Sequence, residues 1–271
     1  MSFGSRMSAA RSAYGPLCVG IDPHPEILEL WGLDDSVDGL TQFTRICVDA
    51  FAGHVGFIKP QAAFFERFAS PGVAVLEELL AASRHTGSLV ILDAKRGDIG
   101  STAHAYADAY LNEDSPLAVD AITVNPFLGV QALDPFFEAA AVSDAGVFVL
   151  ALTSNPEGAQ VQHAHTDDRT VAGAILDHLR TRNGGASPMG SAGAVVGATI
   201  GSTEENLDIN GPLLVPGLGA QGAGPEDIRR LFADVPHAVI PSVSRAVLRA
   251  GPRVADLRAC VARMADALVS S

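Results

Sequence analysis

Eight short apolar runs recur along the chain, separated by longer amphipathic stretches. Each run is nearly continuous in Val, Ile, Leu and Ala, which is typical of parallel strands buried on both faces rather than of half-exposed antiparallel strands. The pattern therefore predicts eight parallel strands, at residues 17–22, 55–60, 88–95, 121–126, 146–153, 193–199, 213–219 and 238–245.

The stretches between these runs carry apolar residues at intervals of three and four, which predicts helices. The clearest examples are residues 34–53, 71–85, 171–179 and 251–270. Pro225 stands where proline occurs at a first helical position. Ser202 followed by Glu205 resembles a capping box, which predicts one more helix from that point.

Strands that alternate with helices predict a parallel α/β fold, and eight is the number of strands that closes a barrel. We therefore predict a single (β/α)8 TIM barrel that spans residues 1–271 as one catalytic domain. A doubly wound sheet is the alternative, but no GxGxxG motif follows the first strand. The stretch 181–193 is predicted to be a loop and not a domain boundary.

Composition disfavours several classes of protein. A net charge of −13 argues against nucleic-acid binding, and no apolar run is long enough to cross a membrane. The N-terminus lacks the apolar segment of a signal peptide. Cys18, Cys47 and Cys260 are widely spaced with no CxxC pair, which fits a reducing compartment. We therefore expect a cytoplasmic protein without nucleic-acid or membrane partners.

The predicted strands end in polar residues that would share one rim of the barrel, where catalytic groups of this fold lie. These residues are Asp22, Lys59, Asp93, Lys95, Thr153, Ser154, Ser244 and Arg245. Lys59 and Lys95 are the two lysines of the chain, and each ends an apolar run. That is an unusual position for a solvated charge, so we expect both ammonium groups to have a specific role.

Asp93 and Lys95 are two residues apart on a predicted strand, so their side chains point to the same face. Opposite charges at that distance favour each other's ionised form against the cost of burial. Lys59 and Asp98 would extend the pair to an alternating network of four charges. Such a network is more typical of a functional site than of a structural salt bridge, because buried ion pairs add little to stability.

The glycine-rich segment 216–222, PGLGAQG, frees backbone N–H groups to approach an anion, although an ordinary turn is the alternative. Arg245, at the end of the eighth strand, can add a charge-assisted contact. Together they predict a phosphate site. His163 and His165 are more typical of a surface loop than of a metal site, because no third ligand is suitably spaced.

Several motifs resemble one known family. DAKRGDIGST (93–102) matches the D-x-K-x-x-D-I-x-x-T signature of the orotidine 5′-monophosphate decarboxylase family. Four further segments resemble its longer, mycobacterial-like bacterial subgroup: CVGIDPHPE (18–26), IKPQAAFFE (58–66), LTSNPEG (152–158) and VPGLGAQG (215–222). The resemblance spans nearly the whole chain. It implies cofactor-independent decarboxylation of orotidine 5′-monophosphate to uridine 5′-monophosphate in de novo pyrimidine biosynthesis.

The resemblance also implies roles for individual residues. Lys95 would protonate C6 of the pyrimidine, Asp93 would lie beside the substrate carboxylate, and Lys59 and Asp98 would complete the charged array. The remaining implied contacts are Asp22 on a ribose hydroxyl, Ser154 on the pyrimidine amide, Gly217, Gln221 and Arg245 on the phosphate, and Asp98 with Thr102 reaching into the partner's site of a homodimer. Ser244 is a departure, because many relatives have glycine before this arginine.

Three other functions remain to be weighed. A 3-keto-gulonate-phosphate decarboxylase or hexulose-phosphate synthase shares D-x-K-x-x-D, but these enzymes use Mg²⁺ and resemble each other in having Glu where this chain has Lys59. A Schiff-base aldolase is disfavoured because the carboxylates around Lys95 would keep it charged and poorly nucleophilic. A non-catalytic phosphate-binding barrel is disfavoured by the intact set of four charged residues.

Overall fold

A closed barrel of eight parallel strands forms the centre of the computed structural model, which describes residues 1–166, 168–219 and 222–269. Each strand pairs with its neighbours in chain order, and the first strand closes against the last. The strands are β1 Cys18–Ile21, β2 Phe57–Pro60, β3 Leu89–Arg96, β4 Ala121–Val124, β5 Gly146–Leu152, β6 Ala192–Val196, β7 Leu213–Pro216 and β8 Val239–Val243. All eight predicted strands and the TIM barrel are thereby confirmed.

Helices cover the outside of the barrel and precede its first strand. They are α1 Phe3–Tyr14, α2 Pro25–Leu30, α3 Val37–Phe51, α4 Ala63–Glu66, α5 Ala69–Ser83, α6 Gly100–Leu111, α7 Asp134–Val142, α8 Ala159–Gln162, α9 Val171–Arg182, α10 Pro225–Leu231, α11 Arg245–Leu248 and α12 Val254–Val269. The predicted helices appear as α3, α5, α9 and α12, and Pro225 opens α10. None of the described helices is long and apolar enough to span a bilayer.

The helix predicted from Ser202 and Glu205 is wrong, because no helix lies between β6 and β7. The carboxylate of Glu205 accepts hydrogen bonds from Thr170 Oγ1 at 2.5 Å and from Arg169 at 3.1 Å. It therefore ties the connection to the start of α9. A capping box requires the same carboxylate to bond the backbone at its own helix start, so the tertiary contact displaces the local one.

Helix α1 closes the amino end of the barrel. Phe3 and Met7 are fully buried, and the ring of Phe3 meets that of Phe148 edge to face, with centroids 5.9 Å apart. Phe148 lies on β5 and belongs to the same apolar cluster. The lower barrel is therefore filled by side chains, and the polar groups of the strands lie toward the carboxyl end.

Candidate active site

The carboxylate of Asp93 is the centre of the charged cluster. Its Oδ1 accepts a hydrogen bond from Lys95 Nζ at 2.6 Å, and its Oδ2 accepts one from Lys59 Nζ at 3.2 Å. The side chains of Lys59 and Asp93 are only 7% and 12% exposed, whereas that of Lys95 is 44% exposed. Lys59 is thus a buried counter-charge, and Lys95 is the ammonium that a ligand in the barrel mouth can reach.

Strand pairing explains why Lys59 and Asp93, which are 34 positions apart in the chain, are in contact. Strand β2 pairs with β3, and a bridge between Gln61 and Asp93 continues the pairing past the end of β2. The Ala62 N–H donates to the carbonyl of Asp93 at 3.1 Å. This pairing sets Lys59 and Asp93 side by side at the carboxyl ends of their strands.

The electrostatic balance favours the ionised forms of both groups. Burial opposes ionisation of Asp93, but the charges of Lys59 and then Lys95 outweigh it and hold the pKa of this carboxyl well below its usual range. Burial likewise opposes the charge of Lys59, but Asp93 and Asp22 outweigh it and keep the pKa of Lys59 above its ordinary value. Asp93 and Lys59 are therefore both charged at neutral pH.

Thr123 joins this cluster, although the sequence analysis did not select it. Its hydroxyl donates to Asp93 Oδ1 at 2.9 Å and accepts from the backbone N–H of Lys95 at 3.0 Å. Thr123 is buried on β4. A threonine within the run AITV (121–124) resembles any β-branched strand residue. Its only distinguishing signal is a hydroxyl within an otherwise apolar strand.

The β3–β4 pairing is irregular at Lys95. Leu92 pairs with Ile122 and Arg96 with Val124, so three residues of β3 face the single residue Thr123. Lys95 has a φ of +48°, in the left-handed region that costs a non-glycine residue about 1–2 kcal/mol. The bulge turns the end of the strand and aims the Lys95 side chain back onto Asp93.

Asp22 and Ser244 form a second polar corner at the ends of β1 and β8. Asp22 Oδ1 and Ser244 Oγ are buried and have no hydrogen-bond partner among the described residues. A Cβ on Gly20 would lie 2.7 Å from Ser244 Cβ and 3.0 Å from Asp22 Oδ2, so only glycine lets these side chains approach. Buried unpaired oxygens are costly, so this corner is suited to a ligand that supplies hydroxyl groups.

The predicted phosphate site surrounds the start of α11. Arg245 opens this helix and is half-buried, and within the described chain its guanidinium has no carboxylate partner. Gly217 follows β7 with a φ of +112°, which favours glycine. Gly219 N–H donates to the carbonyl of Ala223 at 2.9 Å and closes the turn. Gln221 lies outside the described residues.

Ser154 lies two residues beyond β5, at the same rim. The end of this strand is fixed by Gln162, whose Oε1 accepts from Thr153 N–H at 2.9 Å and whose Nε2 donates to Thr153 Oγ1 at 2.6 Å. Asn125, at the end of β4, accepts a hydrogen bond from Phe127 N–H at 3.0 Å and so caps its own loop.

Asp98 does not join the charged cluster within one chain. It forms no ion pair among the described residues, and its Oδ1 accepts from the N–H of Ile99. Thr102 is exposed in the first turn of α6. Nearby apolar side chains are also exposed, with Ile99 at 60% and Phe127 at 74%. The single chain therefore assembles three of the four predicted charges.

The histidines form no metal site in the part of the chain that is described. His163 and His165 are exposed, and no group of three potential His, Cys, Asp or Glu ligands occurs among the described residues. His24 packs on the ring of Phe64 at 4.2 Å between centroids, and burial lowers its pKa. Cys18 lies below Lys59 in the barrel, where burial raises the pKa of its thiol to about 12, as befits a core residue.

Comparison with known proteins places this arrangement in a family. Residues 15–260 match the model of the orotidine 5′-phosphate decarboxylase / HUMPS family. An orotidine 5′-phosphate decarboxylase of Salinispora arenicola is 58% identical over 97% of this chain and 95% of the relative. One from a Nocardioides species is 61% identical over 91% and 92%.

Solved structures agree with these relatives. A crystal structure from Streptomyces avermitilis, described as a candidate orotidine 5′-phosphate decarboxylase, superimposes with a TM-score of 0.96 at 55% identity. The match covers 99% of this chain and 95% of that one. Since the family model spans most of the chain and the relatives exceed half identity over nearly full length, the chain belongs to the orotidine 5′-phosphate decarboxylase / HUMPS family.

Proposed function

We propose that this protein decarboxylates orotidine 5′-monophosphate to uridine 5′-monophosphate in de novo pyrimidine biosynthesis, without a metal or organic cofactor. The observation that carries the proposal is the Lys59–Asp93–Lys95 cluster at the barrel mouth. Relatives at 58% and 61% identity bear the name of this enzyme. In this assignment the barrel is one catalytic domain.

The chemistry follows from where charge develops. The bond between C6 and the carboxylate breaks, CO2 leaves, and the electron pair stays at C6, where no adjacent carbonyl can delocalise it. A preorganised ammonium stabilises such a charge best in a partly desolvated site. Lys95 supplies this ammonium and then gives its proton to C6, which leaves a neutral amine that solvent reprotonates.

Asp93 and Lys59 prepare Lys95 for this role. Asp93 holds the Lys95 ammonium at 2.6 Å, and Lys59 balances the Asp93 charge from the buried side at 3.2 Å. In the substrate complex the Asp93 carboxylate lies beside the carboxylate that leaves. Like charges repel there, and the departure of CO2 relieves that repulsion.

Substrate contacts are proposed at the other rim groups. The unpaired oxygens of Asp22 and Ser244 suit the ribose end of the nucleotide. The guanidinium of Arg245, with the Gly217 turn and Gln221, would hold the phosphate. Ser154 would bond the pyrimidine amide. Binding energy from the remote phosphate can then be used to order the site in the transition state.

The metal-dependent branch of the family is the second candidate, because the family model also covers it. The Lys59 ammonium argues against it. The ammonium groups of Lys95 and Lys59 lie 2.6 and 3.2 Å from the Asp93 carboxylate. A divalent cation bound to Asp93 would therefore lie beside both of them. Such a cation requires oxygen ligands, and the lysines would repel it.

A homodimer with shared sites is the proposed assembly. Loop 97–99 packs on the loop after β4, since a Cβ on Gly97 would lie 2.3 Å from the carbonyl of Asn125. The exposed side chains of Ile99, Phe127 and Leu128 therefore lie on adjacent loops at the rim. A second copy that covers this apolar patch would bring its own Asp98 and Thr102 toward the neighbouring site.

We place the reaction in the cytoplasm, since Cys18, Cys47 and Cys260 are free thiols.

The test is an assay for loss of the orotate chromophore in excess EDTA. We expect one CO2 and one uridine 5′-monophosphate per substrate, at a rate that EDTA does not change, and no turnover by Lys95→Ala. Activity that EDTA abolishes and Mg²⁺ restores, or turnover of a 3-keto sugar acid phosphate instead, would assign the chain to the metal-dependent branch.

A further inference from the structure

Thr123 closes a ring of hydrogen bonds that begins and ends on Lys95. The backbone N–H of Lys95 donates to Thr123 Oγ1 at 3.0 Å, the Thr123 hydroxyl donates to Asp93 Oδ1 at 2.9 Å, and the same Oδ1 accepts from Lys95 Nζ at 2.6 Å. The ring links the main chain of Lys95 to its own ammonium group.

The direction of each bond in the ring is fixed. A hydroxyl has a single proton, and the Lys95 N–H can only donate to its oxygen. The hydroxyl proton therefore points to Asp93, whose ionised carboxylate can only accept. Each partner excludes the alternative orientation, so the ring has one arrangement.

The ring coincides with the irregular backbone at the end of β3. Because three residues of β3 face Thr123 alone, the Lys95 N–H bonds to a side chain and not to a β4 carbonyl. Lys95 also holds its φ of +48° here. The hydroxyl thus replaces a backbone acceptor where the bulge removes one.

From this geometry we propose that Thr123 is a positioning residue for the Lys95 ammonium. Its hydroxyl holds the bulge that directs the Lys95 chain, and it fixes the rotamer of the Asp93 carboxylate that receives the ammonium. Thr123 acts through these two residues. The inference rests on the role proposed above for Lys95.

Three variants separate the hydroxyl from the packing of the side chain. Thr123→Val keeps the shape and removes the hydroxyl, whereas Thr123→Ser keeps the hydroxyl and removes the methyl. Thr44→Val is the matched control, because Thr44 is also buried but lies on α3 and its hydroxyl has no partner among the described residues.

We expect Thr123→Val to lower kcat about ten- to a hundredfold, the range for one lost hydrogen bond to a charged group. KM and the affinity for uridine 5′-monophosphate should change less than about threefold, because Thr123 acts through Lys95 and Asp93. Thr123→Ser should retain most of kcat, and Thr44→Val all of it. A kcat for Thr123→Val within twofold of wild type, or an equal loss in the serine variant, overturns the proposal.

Two further measurements keep the test decisive. If Thr123→Val does not fold, Thr123→Cys replaces it, since a thiol is a weak donor and acceptor of nearly serine size, and equal kcat in the cysteine and serine variants overturns the proposal. Hydrogen exchange of the Lys95 amide needs no turnover. It should be faster in Thr123→Val than in wild type or Thr123→Ser. Unchanged exchange overturns the ring even if the protein proves not to be a decarboxylase.

Discussion

Lys59 Nζ lies 3.2 Å from Asp93 Oδ2, and both side chains are nearly inaccessible to solvent. The two lysines of the chain therefore have different roles. Lys59 neutralises the carboxylate from the buried side, so the more exposed Lys95 can share that carboxylate and still present its ammonium to a ligand.

The Lys59–Asp93 pair should keep both charges throughout the neutral range. The lowered pKa of Asp93 means that its contribution to stability is present above about pH 4, its ordinary value, and is lost as the pH falls toward the lowered one. The raised pKa of Lys59 means that its contribution persists below about pH 10 and is lost at higher pH.

We therefore expect the difference in free energy of unfolding between wild type and Asp93→Asn to be constant from about pH 5 to 9 and to narrow in acid. Denaturant unfolding at a series of pH values measures it. Asp35→Asn is the control, because Asp35 pairs with Arg67 at the surface and its removal should cost less. If this difference in free energy of unfolding changes between pH 5 and 9, Lys59 or Asp93 titrates in that range.

Lys95→Ala should remove decarboxylation and leave nucleotide binding nearly intact. In the proposed mechanism Lys95 acts on the charge at C6, whereas the proposed phosphate contacts lie at the ends of β7 and β8. Single-turnover kinetics and calorimetry with uridine 5′-monophosphate test the two halves separately. A variant that keeps more than a small fraction of wild-type kcat would exclude Lys95 as the proton donor.

Arg245→Ala should lower kcat/KM by about ten- to a hundredfold, the range for a hydrogen bond between charged groups. Orotidine, which has no phosphate, should be almost indifferent to the change. Arg249→Ala is the matched control, since Arg249 caps the same short helix but is exposed. Equal losses with the nucleotide and the nucleoside would assign Arg245 to another role.

Shared sites predict complementation between inactive variants. A heterodimer of Lys95→Ala and Asp98→Ala has one site with both lesions and one with neither, so mixing should restore up to about half of the wild-type activity per dimer. Lys95→Ala mixed with Asp93→Ala is the control and should stay inactive, because both residues serve the same chain's site. If subunits exchange and neither mixture regains activity, Asp98 acts within its own chain.

The apolar rim patch predicts where the two copies meet. Phe127→Glu should weaken the dimer and reduce activity in proportion to the monomer formed, because a buried unpaired charge is costly at an interface. Val142→Glu is the control, since Val142 is also an exposed apolar side chain but lies at the end of α7. Sedimentation and activity as a function of concentration measure both effects. A stable, active dimer of the Phe127 variant would move the interface elsewhere.

The eight strands and the rim that carries the polar residues can be predicted from the amino-acid pattern alone. A parallel strand buried on both faces must be apolar throughout, so each strand is visible in isolation, and the polar residue that ends it marks the carboxyl edge. Asp93 and Lys95 could be paired for the same reason, because two residues on one strand share a face whatever the rest of the chain does.

Contacts between groups on different strands depend on how the whole barrel assembles. Lys59 meets Asp93 because β2 pairs with β3 in one register, and Thr123 enters the cluster because a bulge sets three residues against one. The helix predicted from the apparent capping box at Ser202 does not form, because the Glu205 carboxylate accepts hydrogen bonds from Arg169 and Thr170, which are distant in sequence. Local patterns fix the periodicity of a chain, whereas register, bulges and long-range hydrogen bonds are settled only when the barrel closes.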